Sequence, residues 1–302
     1  MAKEKKQSEI STVRRAKHGG ILTVIFAIVS FLWISPILIV FLNSFKRKAY
    51  IFTHPFSPSA NSLLEGWDKF VSGIGRAMCG WLNYSNGIRK TNLWGCFGNS
   101  LFITVGSVAL IILCCSMTAW YITRVHTKVT KAIYVMCLFS MIVPFQMVMF
   151  TLSKFANILH LSNPVGIIIV YLGFGAGLAV FMFTGFVKSI SLEIEEAAMI
   201  DGCSPLQTFF KVVFPILKPT TVTVAILEAM WVWNDYLLPS LVLRKKEMYT
   251  LPIAMQVFYG TYTTDIGLIL AALLLAMLPI LILYVFLQRY IIEGVTSGAV
   301  KG

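Results

Sequence analysis

Residues able to do chemistry are few in this chain, and they gather in two places. One is the stretch 189–207, where Glu193, Glu195, Glu196 and Asp201 precede a Gly202-Cys203-Ser204-Pro205 break. The other is an apolar run that carries Glu228, Trp231, Asn234 and Asp235. Neither reads as a catalytic centre. No nucleophile stands at a spacing that pairs it with a base, and the histidines (His18, His54, His126, His160) are scattered. The cysteines (Cys79, Cys96, Cys114, Cys115, Cys137, Cys203) form no C-x-x-C pair, so no zinc spacing exists. A G-x-x-x-x-G-K-[ST] phosphate loop is also absent, so the chain cannot hydrolyse ATP in that way. The chemistry on offer is binding. Glu228, Trp231 and Asp235 at helical spacing would share one face, and an aromatic ring among carboxylates suits stacking on the apolar face of a sugar. Carboxylates inside an apolar span mark a pathway or a paired site. The simpler alternative is that Asn234 and Asp235 hold helices together near Pro239.

The elements that position these residues follow from composition. Apolar residues make up 57% of the 302 residues and charged ones 13%, with mean hydropathy +0.79. An average soluble domain carries about 25% charge. That excludes a soluble enzyme, a disordered chain and a disulfide-stapled secreted module, leaving an all-α polytopic membrane protein. A helix needs about 20 apolar residues to cross about 30 Å of hydrocarbon. Six runs qualify: 20–43, 98–123, 132–153, 163–187, 219–243 and 267–291. Pro36, Pro144, Pro239 and Pro279 fall within them, which bundles tolerate when neighbours satisfy the freed carbonyls.

The net charge of +12 lies in short Lys/Arg clusters between the runs, a pattern for orientation and anionic headgroups rather than nucleic acid. Six basic residues precede the first run (Lys3, Lys5, Lys6, Arg14, Arg15, Lys17), and Arg124, Lys128 and Lys131 crowd one loop. Both termini are therefore expected on the cytoplasmic side of a cell membrane, with 1–19 a basic tail and 292–302 a second tail. The first run exceeds a signal-peptide core and no small-x-small site follows, so it should stay as an anchor. Segment 44–97 is then extracytoplasmic; its Cys79 and Cys96 could pair or remain two thiols.

Within the five-helix core 98–291, the loop 188–218 reads as two short helices with a break. Ser191 can cap the first, whose early turns hold Glu193, Glu195 and Glu196 near the positive helix end. Gly202 suits the left-handed residue that ends it. Ser204 then opens the second, with Pro205 at the first helical position and Gln207 completing a capping box. Ile194, Ala197 and Ala198 form one apolar stripe; Leu206, Phe209, Phe210 and Val213 form the other. Pro215 should end the second helix, and Pro219 should open the next span. Such a helix-turn-helix is a rigid knob built to dock.

Glu196-Ala197-Ala198, three residues, Gly202 and an apolar-x-apolar-Pro ending at Pro215 resemble the EAA loop of binding-protein-dependent ABC permeases. Glu-Ala-Ala-x-x-Asp-Gly is similar to the carbohydrate-uptake branch of that family. Trp233-Asn234-Asp235-Tyr236, Tyr249-Thr250-Leu251-Pro252 and the ending from Gln288 to Gly302 resemble its smaller, six-span, maltose-type subunit. The resemblance covers the chain from about residue 20 onward, although 73–92 looks like extra material. It implies that a second permease subunit completes the pore, that two cytoplasmic ATPase subunits hold ATP and Mg, and that an extracytoplasmic sugar-binding protein delivers the cargo. This chain would bind no cofactor itself. Coupling to the ATPase would fall to Glu196, Ala197, Ala198, Asp201, Gly202, Ser204, Leu206, Phe209 and Phe210. The tail with Gly294, Thr296, Ser297, Gly298 and Gly302 would be flexible and reach the ATPase interface. The competing reading is a secondary sugar or polyol carrier without ATPase partners, which the lack of repeated halves argues against. A membrane-embedded enzyme has no constellation to support it.

Overall fold

The computed structural model of the protein describes residues 19–261 and 265–299; nearly all of them are helical, and no strand occurs among them. The predicted basic tail lies outside the described residues, apart from its last member. The chain divides into two compact units, one built from 19–83 with 266–271 and one from 84–265 with the remainder of the last helix.

In the first unit, α1 (Gly19–Ser44) runs unbroken through Pro36. Most of its side chains before Asn43, Phe26, Phe31 and Trp33 among them, are exposed, as on a helix that meets apolar surroundings on all sides. Lys46, completely buried, organises the chain just beyond it. Its Nζ donates to Asn43 Oδ1 (2.9 Å) and to the His54 carbonyl (2.8 Å). The Asn43 amide donates to the Ile39 and Pro55 carbonyls (2.7 and 2.8 Å), and Asn83 Nδ2 to those of Ser44 and Lys46 (2.8 and 3.0 Å). The Ser44 carbonyl, at the end of α1 and without a partner within the helix, is thus served by the Asn83 side chain. Burial pushes the Lys46 ammonium below its ordinary pKa of 10.5. Helices α2 (Lys48–Thr53) and α3 (Trp67–Ala77) follow, and α4 (Leu82–Thr91) lies from residue 84 onward in the second unit, so the long segment after the first span is folded.

The second unit is built around α5 (Leu93–Arg124) and α8 (Pro164–Val187), which pack along much of their length. Glycines permit the close approach. A side chain at Gly175 would lie 2.6 Å from Ile111 Cδ1 and 2.9 Å from Glu228 Oε2, and one at Gly177 would collide with Met141 and Ser140. Ile111, Cys115, Ala119, Val180, Phe183 and Val187 fill the core between them.

Two expected straight spans are broken. The run 132–153 is α6 (Lys128–Ile142) and α7 (Phe145–Ile158), bent by 109°. Pro144 offers no N–H and forces Val143 into an extended conformation (φ −74°, ψ 116°), which ends α6. The run 219–243 is α11 (Lys218–Asn234) and α12 (Leu237–Val242), parted at Asp235 (φ −71°, ψ 124°). Between α8 and α11 lie α9 (Leu192–Ile200) and α10 (Pro205–Ile216), the latter bent by 77° against α11. Among the described residues, four helices are long and apolar enough to span a membrane alone, and six spans result only if each bent pair counts as one. After α13 (Leu251–Thr261), α14 (Ile266–Ala299) carries the helix through most of the tail expected to be flexible; 300–302 lie outside the described residues. Its glycines and serine are poor helix formers, but no proline stops the run.

Candidate functional site

Helices α9 and α10 have the local construction read from the sequence. Ser191 Oγ accepts from the Glu193 N–H (3.3 Å). At the other end Cys203 N–H donates to Ala198 O and Gly202 N–H to Met199 O, both 3.0 Å, around Gly202 at φ +86°. Ser204 and Gln207 then exchange reciprocal bonds, Ser204 N–H to Gln207 Oε1 (2.8 Å) and Gln207 N–H to Ser204 Oγ (3.4 Å). Pro215 does not end α10. A π-helical turn at Phe209–Val213 carries the helix past it, and Pro215 falls in the first turn after the π turn, where its missing N–H is not needed. Pro219 stands in the first turn of α11, as expected.

The faces of the knob differ from the predicted stripes. Glu196, Ala197, Asp201, Gly202, Ser204, Leu206 and Phe210 are exposed. Ala198 and Phe209, assigned with them to docking, point inward instead: Ala198 is buried, and the Phe209 ring packs on Trp120 and Phe214, centroids 5.4 and 5.8 Å away. Ile194 is exposed. The inward edge of α9 is Glu195 with Ala198, one turn apart, because Glu195 has a partner that outweighs the apolar stripe.

That partner is a pair of side chains on α5. Arg124 Nη2 and Nε reach Glu195 Oε1 at 2.6 and 3.0 Å, and Trp120 Nε1 donates to Oε2 at 2.8 Å. Arg124 Nη2 also donates to the carbonyl of Ile190 (3.0 Å), just past the end of α8. Both Glu195 oxygens are therefore satisfied, and one guanidinium ties the knob to α5 and to the chain leaving α8. The sequence reading missed this latch. Trp120 and Arg124, four residues apart at the end of a span, share one helix face, and that was the available signal.

The second candidate group is less unified than its spacing suggested. Glu228 is 1% exposed, and its Oε2, which faces Gly175, finds no donor among the described residues. Trp231 and Asn234 are exposed. Asp235 lies beyond the end of α11, so the face predicted to hold all three residues does not reach it. Its Oδ1 accepts from Leu237 N–H (2.9 Å) and caps α12, while Tyr171 O–H donates to Oδ2 (3.0 Å). Tyr171 meets Trp231 edge to face, centroids 5.4 Å apart. Trp231, Tyr171 and Asp235 thus form one connected group, and Glu228 stands apart inside the helix packing. No cluster of three metal-binding side chains occurs among the described residues.

The model of a family described as binding-protein-dependent transport system inner membrane component matches residues 111–297. A probable starch degradation products transport system permease protein of Thermoanaerobacterium thermosulfurigenes is 38% identical, covering 93% of this chain and 96% of its own. The melibiose/raffinose/stachyose import permease protein of Bacillus subtilis is 34% identical over 95% of this chain and 99% of its own. In fold, the chain is similar to one from a crystal structure of a bacterial ABC transporter involved in the import of the acidic polysaccharide alginate. That match has a TM-score of 0.71 and 21% identity, covering 92% of this chain and 98% of the other.

Proposed function

Since this chain belongs to the family of binding-protein-dependent transport system inner membrane components, we propose that it forms half of the translocation pore of an ATP-driven importer of short oligosaccharides. A second permease subunit supplies the other half, two ATPase subunits hold ATP and Mg, and an extracytoplasmic binding protein presents the sugar. The sugar permeases among its relatives support that cargo. Both termini lie in the cytoplasm, on the side of the basic loop Arg124-Lys131.

The observation that carries the reading is the latched knob. A docking element must transmit displacement, which a loosely tethered loop would absorb. Here the exposed edge (Glu196, Ala197, Asp201, Gly202, Leu206, Phe210) meets the ATPase, while Glu195, Ala198 and Phe209 hold the opposite side to the bundle. Motion of the ATPase is passed through Arg124 to α5 and to the end of α8. On the pathway, Trp231 stacks on sugar rings and Asn234 bonds their hydroxyls. Asp235, held by Tyr171, fixes the break that turns α11 into α12.

The test is co-purification followed by reconstitution. Tagged chain extracted gently from its native membrane should bring a second permease and a phosphate-loop ATPase. Glu196→Lys, which reverses a charge on the exposed edge, should lose the ATPase and keep the second permease. Retention of the ATPase at the wild-type level would remove the knob from the coupling path.

A further inference from the structure

A cavity of about 750 Å³ opens beside the latch, between the end of α5, the start of α6 and the end of α8. Lys128, Lys131 and Lys188 line it, with His126 and the half-buried Tyr134, and no acidic side chain does. Arg124 lies at its edge but is engaged with Glu195. The three lysines are exposed, and their side chains make no hydrogen bond or ion pair among the described residues. Two further features point the same way. The positive end of α6, a helix of 15 residues, opens here at Lys128. Thr184 also lines the cavity; it is 3% exposed, and its hydroxyl finds no partner among the described residues. A buried hydroxyl left unbonded is costly, and an arriving oxygen acceptor would relieve that cost.

We propose that this cavity binds the phosphate headgroup of an anionic phospholipid. Three lysines, a helix N-terminus and a hydroxyl donor without an opposing carboxylate select a phosphate-bearing anion. The flanks select a lipid as its source, since Ile133 and Met136 on α6 and Phe181 on α8, within two turns of the lysines, are exposed and apolar. Basic pockets between spanning helices at the cytoplasmic side are suited to such headgroups. A lipid seated here braces α6 against α8 next to the residue that holds the knob.

The test uses the intact purified importer complex in native mass spectrometry. It is incubated with phosphatidylglycerol, with phosphatidylcholine of the same chains, or with inorganic phosphate. The wild type should retain phosphatidylglycerol at least tenfold over phosphatidylcholine. Retention should fall about fivefold per lysine removed, and about 100-fold in Lys128→Ala/Lys131→Ala/Lys188→Ala. Thr184→Val, nearly isosteric, should weaken it severalfold, and the triple Lys→Arg variant should preserve it. ATPase retained on each variant complex shows that the fold is intact. Equal retention of the two lipids overturns the proposal, as does undiminished phosphatidylglycerol binding in the triple alanine variant. Lysine-dependent binding of inorganic phosphate without lysine-dependent lipid binding also overturns it, in favour of a soluble anion.

Discussion

Replacing Glu195 by alanine should separate ATP hydrolysis from transport. The substitution removes the acceptor for two Arg124 nitrogens and for the Trp120 indole, in a pair whose side chains are 1% and 19% exposed. Breaking a buried ion pair from one side costs about 3–5 kcal/mol. Arg124 is partly exposed and keeps its bond to the Ile190 carbonyl, so the lower end applies, about 3 kcal/mol. That is roughly a 100-fold shift from the clamped toward the released knob. Glu195→Gln keeps the shape and one acceptor oxygen for Arg124, but it loses the charge and turns an amide N–H toward the Trp120 indole N–H, a loss of about 1–2 kcal/mol. The exposed edge of α9 is unchanged in both variants, so the ATPase should stay bound. In proteoliposomes holding the complete importer, labelled sugar delivered per ATP hydrolysed should fall at least tenfold for Glu195→Ala and severalfold for Glu195→Gln. Arg124→Ala should be at least as severe, since it also loses the bond to the Ile190 carbonyl and leaves the buried Glu195 without its cation. The double variant should be no worse than Arg124→Ala, because the two substitutions share the broken pair. A Glu195→Ala importer with wild-type stoichiometry would refute the latch as the mechanical link.

Other substitutions probe the knob, the pathway and the helix packing. Gly202→Ala meets no neighbouring atom, so only its positive φ is strained, at about 1 kcal/mol; uptake should drop modestly, whereas Gly202→Asp on the docking edge should abolish it with membrane levels maintained on immunoblots. Ser204→Ala loses an N-cap and should cost about 1 kcal/mol, visible as reduced uptake only at raised temperature. Cysteines at positions 231 and 234 should react with polar thiol reagents, and one at 228 should not, in the conformation described. Gly175→Ala pushes back the buried tips of Ile111 and Glu228 and should destabilise the second unit by about 1 kcal/mol, read as a lower unfolding midpoint in detergent. Lys46→Met leaves Asn43 Oδ1 and the His54 carbonyl without their donor and should make the segment after α1 more sensitive to protease.

Much of this architecture was legible because local rules wrote it. Ser191, Gly202, Ser204, Pro205 and Gln207 each act through neighbours within four residues, and all take the conformations that their types dictate. The helical class follows from composition, whereas Pro144 reads in the sequence as a proline tolerated within one span and gives no sign of the 109° break made there. What escaped depends on distant partners. Glu195 and Arg124 lie 71 residues apart, and nothing in the periodicity of α9 reveals that a carboxylate displaces Ile194 from the inward face. Asp235 looked like the third member of a helical triplet. Its capping of α12 and its bond from Tyr171, 64 residues away, become visible only once α8 and α11 are packed.

The most direct measurement is ATP-dependent accumulation of a labelled oligosaccharide. Proteoliposomes would contain this chain with the second permease and the ATPase that co-purify with it, and the co-purified binding protein would load the sugar outside. Accumulation should require ATP and Mg on the ATPase side, should persist when ion gradients are collapsed, and should be lost in Gly202→Asp. Accumulation driven by an ion gradient without ATP, or ATP-driven uptake undisturbed by Gly202→Asp, would contradict the assignment of this chain as a permease coupled through its knob.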